Sequence, residues 1–488
     1  MNAILHRQTS SSGRSAPSIQ NIDNLRGCTI DTIIEAMLAD EPTIVNAPPG
    51  SGKTHAVSRL ARVLDFPITY LTEREDLYED MADLCEEMGL QYKILPSPYR
   101  ECSSFDPDSP DYSKVKDLYA RGVLGKKLHE ALDLGCDPGC PYVESLDFEP
   151  EEFDVLIGHY IHGYAKRYTG ERVVVFDEFA GDGFVHEIQN ADRKVTAFLK
   201  RARGLDYDSW SDLIADRGIK TNEEIYWWKK FRDIEVYDRT IIEDDQGEIS
   251  KLSKDLAMGI AFAEDLGNGW ETTNSDTTPT QDWLTQNIEV ARSTENDVTT
   301  AWMIDTPDLS EAESIVALDG TPVLDMWETA TGLEWDETRV VPDTIAEKQN
   351  VFHEIGGKEI LVAGSGSKPY HTKDASRRSR DLDGAITMGA WLSQDQKPGV
   401  ITTARTITDY ERNRDALEYA REAMNYGGML SSNEFKEFET GVVLGTPHPG
   451  DYDLKKWGAL MGESVEGESR NYQAREYGET QYLTKLSS

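Results

Sequence analysis

Lys53 and Thr54 close the segment Ala47-Pro-Pro-Gly-Ser-Gly-Lys-Thr54, and Asp177 and Glu178 close Arg172-Val-Val-Val-Phe-Asp-Glu178. Those side chains, at those places, are the parts needed to hold a nucleoside triphosphate and cleave it. Between Pro49 and Thr54, Gly50 and Gly52 free the backbone to wrap a phosphate chain, with Ser51 between them. Lys53 reaches the β- and γ-phosphates, and the Thr54 hydroxyl supplies a ligand to Mg²⁺. Asp177 then holds the same ion through water, and Glu178 orients or deprotonates the attacking water. An Asp-Glu pair is common at strand ends; here it gains meaning from the apolar run before it and from Lys53.

A second constellation is built on sulfur. Three of the five cysteines fall between Cys102 and Cys140, which is no secreted disulfide framework. Cys136-Asp-Pro-Gly-Cys140 is a tight turn that brings two thiolates onto one ion, and Cys102 lies upstream in the turn-rich stretch 95–110. His129 ends a helix-like run over 115–129 and completes a Cys₃His zinc set. Cys85 competes for the fourth place, but it sits on an amphipathic helix over 78–88 and reads as core. Buried free cysteines remain the alternative. His159 and His162, three apart beside Tyr160, read as core rather than as ligands.

Both constellations require particular elements. Pro42-Thr43-Ile44-Val45-Asn46 reads as a short buried strand feeding the glycine loop, and 55–64 as the helix after it. Four consecutive apolar residues before Asp177 are what a central parallel strand shows when covered on both faces, and Asp177 falls at its carboxyl end, where open α/β sheets place ligands. The expected fold is α/β.

Composition sets the surroundings. The 488 residues carry 50 Lys+Arg against 89 Asp+Glu, a net charge of −39. At low ionic strength this opposes binding to any polyanion. At 1 M salt the Debye length falls to about 3 Å, so such a surface stays hydrated while phosphate contacts become local. The balance is that of a protein from a salt-in halophile or its virus. No secretory leader and no run of about 18 apolar residues is visible, so a cytoplasmic protein with no membrane partner is expected. Trp210, Trp227, Trp228, Trp270 and Trp283 lie in a polar, acidic stretch. They read first as a small separate core and second as base-stacking surfaces beside Arg201, Arg203, Lys229 and Lys230. Arg377, Arg378 and Arg380 form a basic patch whose default is a solvated loop.

In this order the residues resemble superfamily 2 helicases, and more narrowly the XPD and DinG branch. Ala47 in place of a first glycine is a variation that many helicase-type loops share. Ile68-Thr-Tyr-Leu-Thr72 and Phe153-Asp-Val-Leu-Ile-Gly-His-Tyr160 are similar to strands that flank the nucleotide motifs in that branch. Ile315-Val-Ala-Leu-Asp-Gly-Thr-Pro322, with Gly320 and Thr321 as its small polar core, is similar to motif III. Gly399-Val-Ile-Thr-Thr403 resembles the first strand of the second motor domain, and 431–450 the motif V region.

The resemblance implies a P-loop NTPase with two RecA-like domains, the second incomplete at its end, plus a small Cys-rich metal lobe and a helical insert. The boundaries it implies are a lead-in over 1–40, motor domain 1 over 41–330 with the lobe at 96–150 and the arch-like insert at 185–305, and motor domain 2 over 331–488. It implies ATP and Mg²⁺ as cofactors and single-stranded or forked DNA as partner. Lys53, Asp177 and Glu178 would be catalytic, and Pro49 to Thr54, Asp177, Gly320 and Thr321 would bind nucleotide. It also implies a four-cysteine [4Fe-4S] cluster where this chain offers Cys102, His129, Cys136 and Cys140, leaving zinc and iron–sulfur both open. The branch ends in Gln-x-x-Gly-Arg-x-x-Arg, whose arginine reaches the γ-phosphate, and no such string occurs here; Gln473-Ala-Arg475 is the nearest. Truncation, a finger from elsewhere, or a non-catalytic ATP-binding scaffold follow as alternatives. A viral packaging ATPase is a further one, but it predicts a nuclease domain for which the stretch after Thr446 is short.

Overall fold

The computed structural model describes residues 19–64, 66–136, 139–202, 207–216, 234–244, 246–273, 289–293, 299–341, 351, 398–404, 406–408, 422–425, 438, 441–443 and 451–465. The chain divides into two compact units, one of Met1–Phe262, Thr278–Val290 and Trp302–Ile360, the other of Ala263–Thr277, Ala291–Ala301 and Leu361–Ser488. In chain order the strands are β1 (Thr43–Asn46), β2 (Ile68–Leu71), β3 (Tyr92–Ile94), β4 (Val155–Gly158), β5 (Val173–Asp177), β6 (Val185–Gln189), β7 (Glu264–Asp265), β8 (Trp270–Thr273), β9 (Glu289–Ser293), β10 (Thr300–Ile304), β11 (Ser314–Asp319), β12 (Asp336–Arg339), β13 (Gly399–Thr402), β14 (Glu422–Asn425) and β15 (Gly441–Val443). Three helices border the site, α1 (Ile22–Met37), α2 (Lys53–Leu64) and α3 (Asp76–Met88).

Seven strands of the first unit form one sheet in the order β12-β1-β11-β5-β2-β4-β3, and every pairing in it is parallel. A parallel sheet needs cover on both faces, and the alternation along β5 shows how it is supplied. Val173 and Val175 enter the core that α1, α2 and α3 close with Leu25, Ile33, Val57, Leu60 and Met81. Val174 and Phe176 point the other way, among Tyr160, Phe184 and Trp327. At the entry end of β5 the buried Arg172 guanidinium donates to the carbonyls of Ile68 at 2.9 Å, Phe153 at 3.0 Å and Pro150 at 3.2 Å. It thereby pairs backbone acceptors that two neighbouring connections leave inside the fold.

The helical run expected over 115–129 is two helices, Tyr112–Ala120 and Gly125–Ala131. Gly122, at φ +92°, turns the chain between them. The insert expected to be helical over 185–305 carries helices at Ala191–Arg201, Asp238–Ile242 and Ser253–Phe262, and with them strands β6 to β10. Continuous apolar and β-branched stretches such as Thr300-Ala-Trp-Met-Ile304 account for the strands.

In the second unit β13 is the centre of a parallel sheet, β14-β13-β15, at the place read from Gly399 to Thr403. Trp270 on β8 is fully buried and meets Tyr452 edge to face at 5.3 Å, so this ring fills a core. Trp227, Trp228, Trp283, the arginines 377, 378 and 380, the stretches 431–437 and 444–450, and Gln473 to Arg475 lie outside the described residues. No helix among the described residues is long and apolar enough to cross a membrane.

Candidate functional site

The glycine loop leaves the carboxyl end of β1 and enters α2 at Lys53. Gly50 and Gly52 have φ of +76° and +85°, a region that side chains with a Cβ avoid. Lys53 Nζ donates to the Ala47 carbonyl at 3.2 Å. The Ser51 hydroxyl is buried within the loop and has no hydrogen-bond partner among the described residues. Arg26 of α1 crosses Gly52, its Cγ 3.6 Å from where a Cβ would stand.

Asp177 is brought level with this loop by register. Asn46 on β1 pairs with Asp319 on β11, and Leu318 on β11 pairs with Asp177 on β5. Three adjacent strands therefore end together under the loop. On the other side of β5 lies β2, whose Tyr70 hydroxyl donates to Asp177 Oδ2, and the Thr54 side chain lies beside that hydroxyl and lowers its value. Tyr70 thus places its hydroxyl between the start of α2 and the end of β5, bonded to Asp177 and beside Thr54. Burial raises the Asp177 carboxyl above the usual carboxylate range, while the Tyr70 hydroxyl and the Lys53 charge pull it down. Burial likewise holds Tyr70 well above its ordinary value, with Asp177 adding to the rise, so Tyr70 is a donor at any working pH.

Glu178 follows in an unusual backbone state, φ +69°. Its N–H donates to the Leu318 carbonyl at 3.0 Å. The hydroxyl of Tyr160, 2% exposed, donates to the Asp177 carbonyl, with the Glu178 carbonyl at 3.1 Å. The left-handed region costs a residue with a Cβ about 1–3 kcal/mol and persists where the surroundings enforce it. Gly320 and Thr321 follow β11: a Cβ on Gly320 would stand 3.3 Å from the Ala47 carbonyl and 3.9 Å from Lys53 Nζ. The Thr321 N–H donates to Asp319 Oδ1 at 2.8 Å. Lys53, Thr54, Asp177, Glu178, Gly320 and Thr321 are therefore gathered at one end of one sheet. Tyr70, Tyr160 and Arg26 join them. The two tyrosines lie in segments that the sequence singled out, 68–72 and 153–160, but no role at the site was read for either, and Arg26 gave no signal.

The sulfur constellation also converges. The ligand atoms of Cys102, His129, Cys136 and Cys140 all lie within 4.8 Å of one another. Cys85 lies on α3, fully buried in the core, and takes no part. His162 spends its nitrogens on backbone: Nε2 meets the Pro96 carbonyl at 3.2 Å and Nδ1 meets the His159 N–H at 3.0 Å. Burial lowers it to about 4, which fits a neutral, partly buried imidazole.

The fold and the loop define a parallel α/β protein with a glycine loop and a cluster of polar side chains at the carboxyl edge of its sheet. No family model and no curated protein matches the sequence. Among solved structures the chain is similar to "Structure of S. tokodaii Xpd4", at 12% identity over 90% of this chain and 87% of that one, with a TM-score of 0.38. It is similar to "XPD_APO" at 13% identity over 90% and 88%, with a TM-score of 0.40. It is similar to "Truncated XPD" at 15% identity over 64% and 98%, with a TM-score of 0.30.

Proposed function

We propose that the chain binds ATP with Mg²⁺ at the loop 47–54 and hydrolyses it to move on, or unwind, nucleic acid. The convergence of Thr54 and Asp177 around the Tyr70 hydroxyl, which donates to Asp177, carries this reading. It brings together the two groups that would hold a phosphate-bound Mg²⁺, Thr54 by its hydroxyl and Asp177 through water. When bound, Mg²⁺ neutralises charge developing on the phosphates. Lys53 turns from the Ala47 carbonyl to the β- and γ-phosphates. The unspent Ser51 hydroxyl and the loop amides take phosphate oxygens. Glu178, held out of the strand by its backbone, orients and deprotonates the water. That the ATPase is coupled to nucleic acid rests on the order of the motifs, and single-stranded DNA is the first track to test.

A second reading, an ATP-binding scaffold that does not turn over, is favoured by one observation: no Gln-x-x-Gly-Arg-x-x-Arg string occurs in the sequence. An arginine finger is worth about 10³–10⁵ in rate in related enzymes. Steady-state ATPase assays in molar KCl with Mg²⁺, with and without single-stranded DNA, separate the two. Turnover stimulated by DNA and reduced about 100-fold or more in both Lys53→Ala and Glu178→Gln supports the motor. ATP binding with no turnover, indifferent to DNA, leaves the scaffold.

A further inference from the structure

The group implied by the family resemblance at Cys102, His129, Cys136 and Cys140 is a four-cysteine iron–sulfur cluster, and the donor set does not fit it. A cubane takes each ligand on a different iron and so spreads its four ligands apart, and it is held by thiolates. Here one donor is an imidazole and the donors crowd a single point. Cys102 Sγ lies 3.4 Å and Cys136 Sγ 3.3 Å from His129 Nε2, and the two sulfurs are 3.6 Å apart. Four ligands set tetrahedrally around one zinc, with sulfur at about 2.3 Å and nitrogen at about 2.0 Å, stand roughly 3.8 Å apart for sulfur pairs and roughly 3.5 Å for sulfur and nitrogen.

The surroundings are built for such an ion. His129 Nδ1 lies 2.7 Å from the Gly125 carbonyl. Donation there fixes the tautomer and turns the Nε2 lone pair toward the sulfurs. The Ser104 hydroxyl donates to Cys136 Sγ at 3.2 Å, which suits a thiolate. A Cβ on Gly125 would come within 2.7 Å of the Tyr142 ring, so a glycine is needed for the ligand helix to pack this closely.

The lobe does not close on itself. Cys102, Cys140 and Tyr142 share one core with Ile241 and Ile249, about a hundred residues or more downstream and beyond β5 and β6. The buried Arg121 side chain crosses the junction, donating to the carbonyls of Ile241 and Ile249 at 3.2 Å and pairing with Asp244 at 3.3 Å. Asp244 also accepts from the N–H groups of Glu248 and Ile249, both at 2.8 Å.

We propose that Cys102, His129, Cys136 and Cys140 bind one zinc ion in a closed tetrahedral site, and that this ion holds together a single body made from both segments, 98–146 and 236–251. The site has no open coordination position, so its role is structural. This inference stands apart from the ATPase reading, and its test uses no nucleotide.

The full chain, purified in molar KCl, is analysed for metals by mass spectrometry and then titrated with Co²⁺ after chelation. Expected are one zinc per chain, no iron, and visible cobalt bands of a tetrahedral three-thiolate site. His129→Cys should keep the metal and shift those bands to the all-thiolate form, while Cys136→Ser should lose it. Hydrogen exchange before and after chelation should show protection lost in both 98–146 and 236–251. Stoichiometric iron with the broad visible absorption of a cluster, or Co²⁺ titration without tetrahedral bands, overturns the zinc site. Loss of protection in 98–146 alone overturns the single body.

Discussion

Two tyrosine hydroxyls define the site as much as its charged groups do. Tyr70 donates to the Asp177 carboxylate and lies beside Thr54. A hydrogen bond to a charged group contributes about 1.5–3 kcal/mol. Tyr70→Phe should therefore raise the Mg²⁺ concentration for half-maximal ATPase by about tenfold, leaving the maximum within a few-fold when Mg²⁺ saturates. Titrating Mg²⁺ at fixed ATP reads this directly; an unchanged midpoint would show that Tyr70 only packs. Tyr160 acts on the backbone instead. It pins the carbonyls of Asp177 and Glu178 while Glu178 sits in the left-handed region. In the proposed reaction Tyr160→Phe should lower kcat about tenfold with KM for ATP nearly constant, because the orientation of water proposed for Glu178 is lost and the loop is untouched. Lys53, Thr54, Asp177 and Glu178 were legible in the sequence, because the order strand, glycines, helix is local. The tyrosines were not. A tyrosine in an apolar strand reads as core, and its partner is decided by which strands become neighbours.

At the scale of elements, the turn after β4 offers a pH test. His162 is neutral in the fold, its value lowered to about 4 by burial, whereas in the unfolded chain it takes a proton near 6.5. Between those values the unfolded state binds more protons, so stability contributed by this group is full above about pH 6.5 and falls as pH drops toward 4. Thermal melts at pH 7 and pH 5 should show a smaller drop for His162→Asn than for the parent chain. Equal drops would remove His162 from the account. The same turn shows what the sequence could carry. The strand at 155–158 and the core reading of both histidines follow from an apolar run and from ring nitrogens that neighbouring backbone can satisfy. The split of 115–129 into two helices was hidden, because Gly122 is tolerable within a helix and becomes a terminus only through the segment that packs on it. Lys251 Cγ lies 2.6 Å from where a Gly122 Cβ would stand.

For the molecule as a whole, the dominant number is the charge of −39. Carboxylates at that density repel one another at low ionic strength and are screened over about 3 Å at 1 M salt. The melting temperature should climb steeply as KCl is raised from 0.1 M toward 3 M, and any binding to DNA should weaken less across that range than counterion release alone would predict. A flat melting curve would assign the charge some other role. The α/β class was readable from patterns within single segments, whereas the order of the seven strands was not, because it is set by pairings far apart in sequence. The strand that feeds the phosphate loop is the extreme case. Both neighbours of β1, namely β11 and β12, come from residues 314–339, about 270 residues after it. Loop closure on that scale is slow. A nascent chain therefore has its glycine loop hundreds of residues before it has the sheet that shapes it, and the phosphate grip proposed for that loop should be among the last properties to arrive in refolding, well after helices such as α3 have formed.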